Sequence, residues 1–155
     1  MASLLARIQR ANRSPLHTLA PAAARAAYHL AAEVLDLPRV PLPRVEDLRL
    51  PAADGTPLRA RLYAGGFDPR PTLLYLHGGG FMIGGLDTHD SLCRQLALRS
   101  GWAVVSLDYR LAPEHRFPTA FDDAWSALQT LAAEPQRHGG VPGMLAIAGD
   151  SAGGT

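Results

Sequence analysis

Three short, nearly continuous apolar runs constrain the fold of this chain more than any other feature: Thr72–Leu76, Trp102–Leu107 and Met144–Ala148. A strand with one wet face alternates apolar and polar residues, whereas unbroken runs suit strands covered on both faces, as in a parallel sheet. Two helical patterns lie between them. Thr88 is placed to cap a helix carrying Leu92 and Leu96, which Gly101 closes. Pro118 precedes a second helix with Phe121, Trp125, Leu128 and Leu131 on one stripe, and Gly139-Gly140 ends that segment. Upstream, Leu48, Leu50, Leu58, Ala60 and Leu62 alternate with Arg49, Arg59, Arg61 and Tyr63 around Asp54-Gly55. That pattern predicts a hairpin with one wet face. Hairpin, strand, helix, strand, helix, strand is the order of an α/β architecture with right-handed crossovers.

Composition excludes several alternatives. The 15 basic residues, all arginine, nearly balance 14 acids, so no positive field points to nucleic acid. No run approaches the roughly 18 apolar residues needed to span a bilayer, so stable membrane insertion is not expected. The single cysteine, Cys93, forms no intrachain disulfide and reads as a core residue facing the sheet. A cytoplasmic location is the expectation. The stretch to Leu37 carries Arg7, Arg10, Arg13 and Arg25 before its first acid, Glu33, a composition shared with mitochondrial transit peptides. It reads better as a pair of amphipathic helices: Pro21 suits a first turn, Leu19, Ala23, Ala26, Leu30, Val34 and Leu37 recur at helical spacing, and Pro38 stops the pattern. Residues 1–40 would then be a helical unit ahead of a core domain at 41–155.

Two glycine-rich turns carry the chemistry. Behind the last apolar run stands Gly149-Asp150-Ser151-Ala152-Gly153-Gly154. Gly-x-Ser-x-Gly after a strand is a nucleophile elbow, in which a strained turn projects the hydroxyl and side chains at the glycine positions would collide with the strand or the next helix. Behind the first run stands His77-Gly78-Gly79-Gly80-Phe81, whose bare backbone N–H groups suit a developing oxyanion. Taken singly, the first is also an ordinary strand-to-helix turn. The second is also a flexible or phosphate-binding loop, although no Gly-Lys-[Ser/Thr] follows. Asp87, His89 and Asp90 have the look of a metal cluster, but no fourth ligand is spaced to help, and they read as a surface helical turn. Neither metal nor organic cofactor is expected.

Together with Asp108-Tyr109-Arg110-Leu111-Ala112-Pro113-Glu114-His115 and Phe117-Pro118-Thr119-Ala120, these motifs resemble the hormone-sensitive-lipase-like, Gly-Asp-x-Gly family of α/β-hydrolase carboxylesterases. The resemblance runs from about Val45 to Thr155, with the N-terminal helices matching the family's cap. It implies that Ser151 is the nucleophile, acylated by a small-molecule ester, and that Gly79, Gly80 and Ala152 supply the oxyanion-hole amides. Gly78 would shape the loop and His77 would hold it. Asp108, Arg110 and Glu114 would bond locally in a structural turn. Asp122 and Asp123 would be structural at a helix start, and Asp150 either supports the site or shapes the turn. The family's order is serine, acid, histidine. Only Ala152, Gly153, Gly154 and Thr155 follow Ser151, so the catalytic acid and base are absent from these residues. The expectation is therefore an α/β-hydrolase fold truncated after the nucleophile elbow, the N-terminal half of an esterase, nearly inactive alone. Two other readings share the scaffold: a non-catalytic ligand-binding protein, as in plant gibberellin receptors, and an acyltransferase or peptidase using the same serine. Oligomeric state is left open.

Overall fold

The computed structural model describes residues 14–155. The first of the two expected N-terminal helices lies largely outside them. A short 3₁₀ turn, Leu16–Thr18, leads to α1, Pro21–Leu35, with proline in its first turn as the sequence required. The strands are β1 (Arg44–Pro51), β2 (Pro57–Ala64), β3 (Arg70–Leu76), β4 (Ala103–Asp108) and β5 (Gly140–Gly149). Helices α2 (Asp90–Ser100) and α3 (Thr119–Ala133) fill the two crossovers, and Gly101 ends α2 in the left-handed conformation.

The sheet order is β1-β2-β4-β3-β5, antiparallel across β1, β2 and β4 and parallel across β4, β3 and β5. The hairpin turns at Gly55 (φ 81°), where the Asp54 carboxylate accepts from the Thr56 amide at 2.9 Å. Successive residues of β3 and β4 point to opposite faces, and both faces are covered. On one, Leu50, Leu58, Ala60, Leu62, Leu74, Val105 and Leu107 pack with Ala127 and Leu131 of α3. On the other, Tyr63, Tyr75 and Val104 pack with Cys93 and Ala97 of α2. This is why the strand sequences lack alternation. Cys93 is fully buried in the second cluster, and burial pushes its thiol up to about 12, which removes it as a nucleophile.

Several expectations need correction. Thr88 does not cap α2; its hydroxyl closes a turn with the Gly85 backbone, and His89 takes the cap position. Tyr63 is buried rather than wet, because α2 lies over that end of the hairpin and its hydroxyl donates to Asp90 at 3.0 Å. The stripe expected on α1 points outward: Leu30 and Val34 are exposed, Leu37 is exposed past the helix end, and the helix packs instead through Ala24. Small residues allow the close approach, and the larger apolar ones remain on the open side. On α3, Leu131 is buried but Phe121 and Trp125 are more than half exposed. They flank β5, an edge strand of the described sheet whose Met144 and Ile147 are also exposed. No described helix is long and apolar enough to cross a membrane.

Candidate active site

Sheet register makes the site. Leu76, the last residue of β3, is paired with Gly149, the last residue of β5. The two glycine-rich turns, whose strand ends are 73 residues apart in the chain, therefore leave the sheet side by side at the carboxyl ends of parallel strands. The chain passes from β3 to β4 on one side and reaches β5 on the other, so this is a topological switch point, where open α/β sheets bind ligands.

Ser151 occupies φ 50°, left-handed space that costs a non-glycine residue roughly 1–2 kcal/mol. A 3₁₀ turn, Ser151–Gly154, follows, and the serine is exposed. The flanking glycines are sterically obligatory. A Cβ on Gly149 would lie 2.6 Å from the Leu76 carbonyl oxygen and inside that of Gly153, and one on Gly153 would overlap the Leu76 carbonyl. Strand β3 and the elbow thus touch backbone to backbone.

The opposing loop runs through three successive positive φ values, Gly79 at 130°, Gly80 at 60° and Phe81 at 59°. It closes on itself as the Gly79 carbonyl accepts from the amides of Met82 (3.1 Å) and Ile83 (3.0 Å). Among the described residues no acceptor takes the N–H of Gly79 or Gly80. Gly78 differs, because its N–H donates to Asp150 at 2.9 Å. The same carboxylate accepts from the Tyr75 hydroxyl at 2.7 Å and sits 3.4 Å from His89 Nε2. Asp150 therefore ties the elbow to the glycine loop. Partial burial works against its charge, but donation from Tyr75 and Gly78 outweighs that and holds the carboxyl below its ordinary range.

His77 is fully buried, stacked on Tyr109 with ring centroids 4.3 Å apart, and the Tyr109 hydroxyl donates to its carbonyl. Its Nδ1 lies 2.8 Å from the Gly78 carbonyl, which can only accept, so Nδ1 carries the proton. Nε2 is buried without a partner among the described residues. Burial pushes the imidazole down to about 4 from 6.5. Unfolded chains thus bind a proton here that the folded protein refuses. The stability held by His77 is complete above pH 6.5, falls as pH drops toward 4, and totals on the order of 3 kcal/mol. Imidazole NMR shifts of His77 are expected to stay those of the neutral ring from pH 7 to 5, while urea midpoints decline across the same interval.

Other assignments move. His89 and Asp90, read as surface residues, are both buried. Asp90 is ringed by Arg39, Arg61 and Arg94 at 3.2, 3.4 and 2.6 Å, and so neutralised. Asp123 is buried and accepts from Arg110, which also holds Asp54 at 2.7 Å and so joins α3 to the hairpin turn. Glu114 does not bond locally. It reaches Arg25 of α1 at 2.6 Å, which holds its carboxyl down at about 2. Sequence reasoning missed Arg25, Tyr75, Tyr109 and Gly84; only Gly84, which has φ 92° and lies against the His77 ring, left a trace as a glycine. Nothing hydrogen-bonds the Ser151 hydroxyl among the described residues.

A family model described as alpha/beta hydrolase fold matches residues 73–155. The chain belongs to that family. It is 48% identical over 127 residues to the esterase LipI of Mycobacterium tuberculosis (strain ATCC 25618 / H37Rv), which covers 77% of this chain and 39% of LipI. Ethyl acetate hydrolase of Pseudomonas putida is 45% identical over 115 residues, covering 72% of this chain and 36% of that enzyme. The hyperthermophilic esterase from the archaeon Pyrobaculum calidifontis superposes with a TM-score of 0.90 at 38% identity, over 97% of this chain and 48% of its own. The chain spans half or less of the length of each of these relatives.

Proposed function

We propose that the protein containing this chain is a serine carboxylesterase and that Ser151 is its nucleophile. One observation carries the reading: the Leu76–Gly149 register sets an exposed, left-handed serine beside a loop with unoccupied backbone N–H groups. The Ser151 hydroxyl oxygen attacks the acyl carbon of an uncharged ester and gives up its proton to a base. The carbonyl oxygen takes the electron pair and is stabilised by the N–H groups of Gly79, Gly80 and Ala152. Collapse expels the alcohol, protonated by the same base, and leaves an acyl-serine that water hydrolyses. The family's order places acid and histidine after the serine. His77 is not that base in this reading, since its free nitrogen is sealed from the exposed Ser151 hydroxyl.

Metal and organic cofactors have no part in this reaction. Asp150 and His77 act as supports of the loop, and α1 belongs to a cap above the core. A cytoplasmic site of action goes with the reading, as do the absence of nucleic-acid partners and no stable membrane insertion. The test is a fluorophosphonate probe applied to the protein expressed from its complete reading frame, with the adduct mapped by mass spectrometry. The adduct is expected on Ser151, together with hydrolysis of p-nitrophenyl esters. Labelling that persists in Ser151→Ala overturns the assignment.

A further inference from the structure

We propose that Arg25, on the N-terminal helix, is a positioning residue for the oxyanion loop; the proposal rests on the esterase reading above. The side chain reaches from α1 to two separate segments. Its Nε donates to the Met82 carbonyl at 2.8 Å, and Nη2 donates to the Ala112 carbonyl at 2.8 Å. Nη1 and Nη2 grip the Glu114 carboxylate at 3.0 and 2.6 Å. Those partners are what give the contact its meaning. The Met82 amide donates to the Gly79 carbonyl, and the Ala112 amide donates to the Phe81 carbonyl at 2.8 Å. Arg25 therefore holds the carbonyls of the two residues whose own amides hold the loop. Between them lie Gly79, Gly80 and Phe81, all at positive φ, a stretch with little conformational preference of its own to keep its N–H groups aimed.

The alternative is that Arg25 only fastens the helix down. Glu114 is half exposed, and an ion pair of that kind contributes little by itself. The main-chain carbonyls are the part of the interaction that a simple anchor does not need. A planar guanidinium makes these four bonds from three separate nitrogens, whereas an ammonium offers three donors from one. Misplacing oxyanion donors lowers turnover more than substrate binding, because the charge develops only in the transition state.

The experiment compares Arg25→Ala, Arg25→Lys and Glu114→Ala in the protein from its complete reading frame. Turnover of p-nitrophenyl esters and amide hydrogen exchange over residues 79–83 are read for each. Arg25→Ala is expected to lower kcat by about 10- to 100-fold with KM within about threefold, and to speed exchange at Met82 and Ile83 by about tenfold or more. Arg25→Lys should recover only part of each effect, and it carries the comparison if the alanine variant does not fold. Glu114→Ala should stay within about threefold of the parent in both readouts. Unchanged exchange and kcat in the Arg25 variants overturn the proposal, as does an equal loss in Glu114→Ala, which would mean anchoring alone. Failure of the parent to label at Ser151 counts against the esterase reading instead, and the exchange data then judge Arg25 independently.

Discussion

Ser151→Ala, in the protein from its complete reading frame, is expected on the esterase reading to reduce ester turnover by about 10⁴–10⁶-fold while leaving substrate affinity nearly unchanged, as loss of the nucleophile does in serine hydrolases. The residue is exposed at the switch point of the sheet, so its removal costs little packing. Its backbone conformation adds a second, opposite effect. At φ 50° any side chain with a Cβ is strained, so alanine keeps the strain and glycine relieves it. Ser151→Gly is therefore expected to be as inactive as the alanine variant yet more stable than the parent by about 1 kcal/mol. Steady-state kinetics and urea unfolding of the two variants side by side check both halves. Equal stability of the two would show that the strain at the elbow is relieved elsewhere.

Gly153→Ala is expected to be among the most destabilising single substitutions in the chain, at more than about 3 kcal/mol. The new methyl would overlap the Leu76 carbonyl oxygen and lie 2.9 Å from that of His77, both main-chain atoms of the paired strand and its loop. A flexible side chain moves aside at little cost, but a strand carbonyl in a ladder does not. Gly149→Ala should behave alike, because it meets the Leu76 and Gly153 carbonyls. Gly80→Ala is the contrast: no atom lies within 4 Å of its would-be Cβ, so only the left-handed backbone at φ 60° opposes it, at about 1–2 kcal/mol. Thermal unfolding of the three variants should rank them in that order. A Gly153→Ala protein as stable as Gly80→Ala would mean that the elbow is not wedged against β3.

Much of this was legible in the linear order of residues, and the misses have physical causes. Unbroken runs revealed β3 and β4 because burial on both faces leaves no solvent side to mark with polar residues, whereas β5 carries the same kind of run with Met144 and Ile147 exposed. The glycines of the elbow were legible because steric exclusion writes itself into sequence as a missing side chain. Helix α1 misled because its large aliphatic residues, Leu30, Val34 and Leu35, lie on the open side while Ala24 makes the contact. Periodicity shows that a helix has an apolar face, not which face finds a partner. Tyr63 misled for a related reason. Alternation marks two faces, but whether the second is wet depends on α2, an element 27 residues further on at the Asp90 contact.

The amino-acid sequence by itself determined the element order, the parallel core and the two glycine-rich turns of the proposed site, since each depends on local sterics and on burial pattern. Tertiary structure alone decided what those turns do together. Pairing of β3 with β5 put Leu76 against Gly149 and so brought Asp150 to the Gly78 amide, and packing of α1 brought Arg25 to the Met82 carbonyl. Arg25 and Met82 are 57 residues apart, and a charged side chain donating to a main-chain carbonyl imposes no requirement on the residue type that accepts it. Such a contact leaves no pattern in one sequence, because every residue carries the same acceptor.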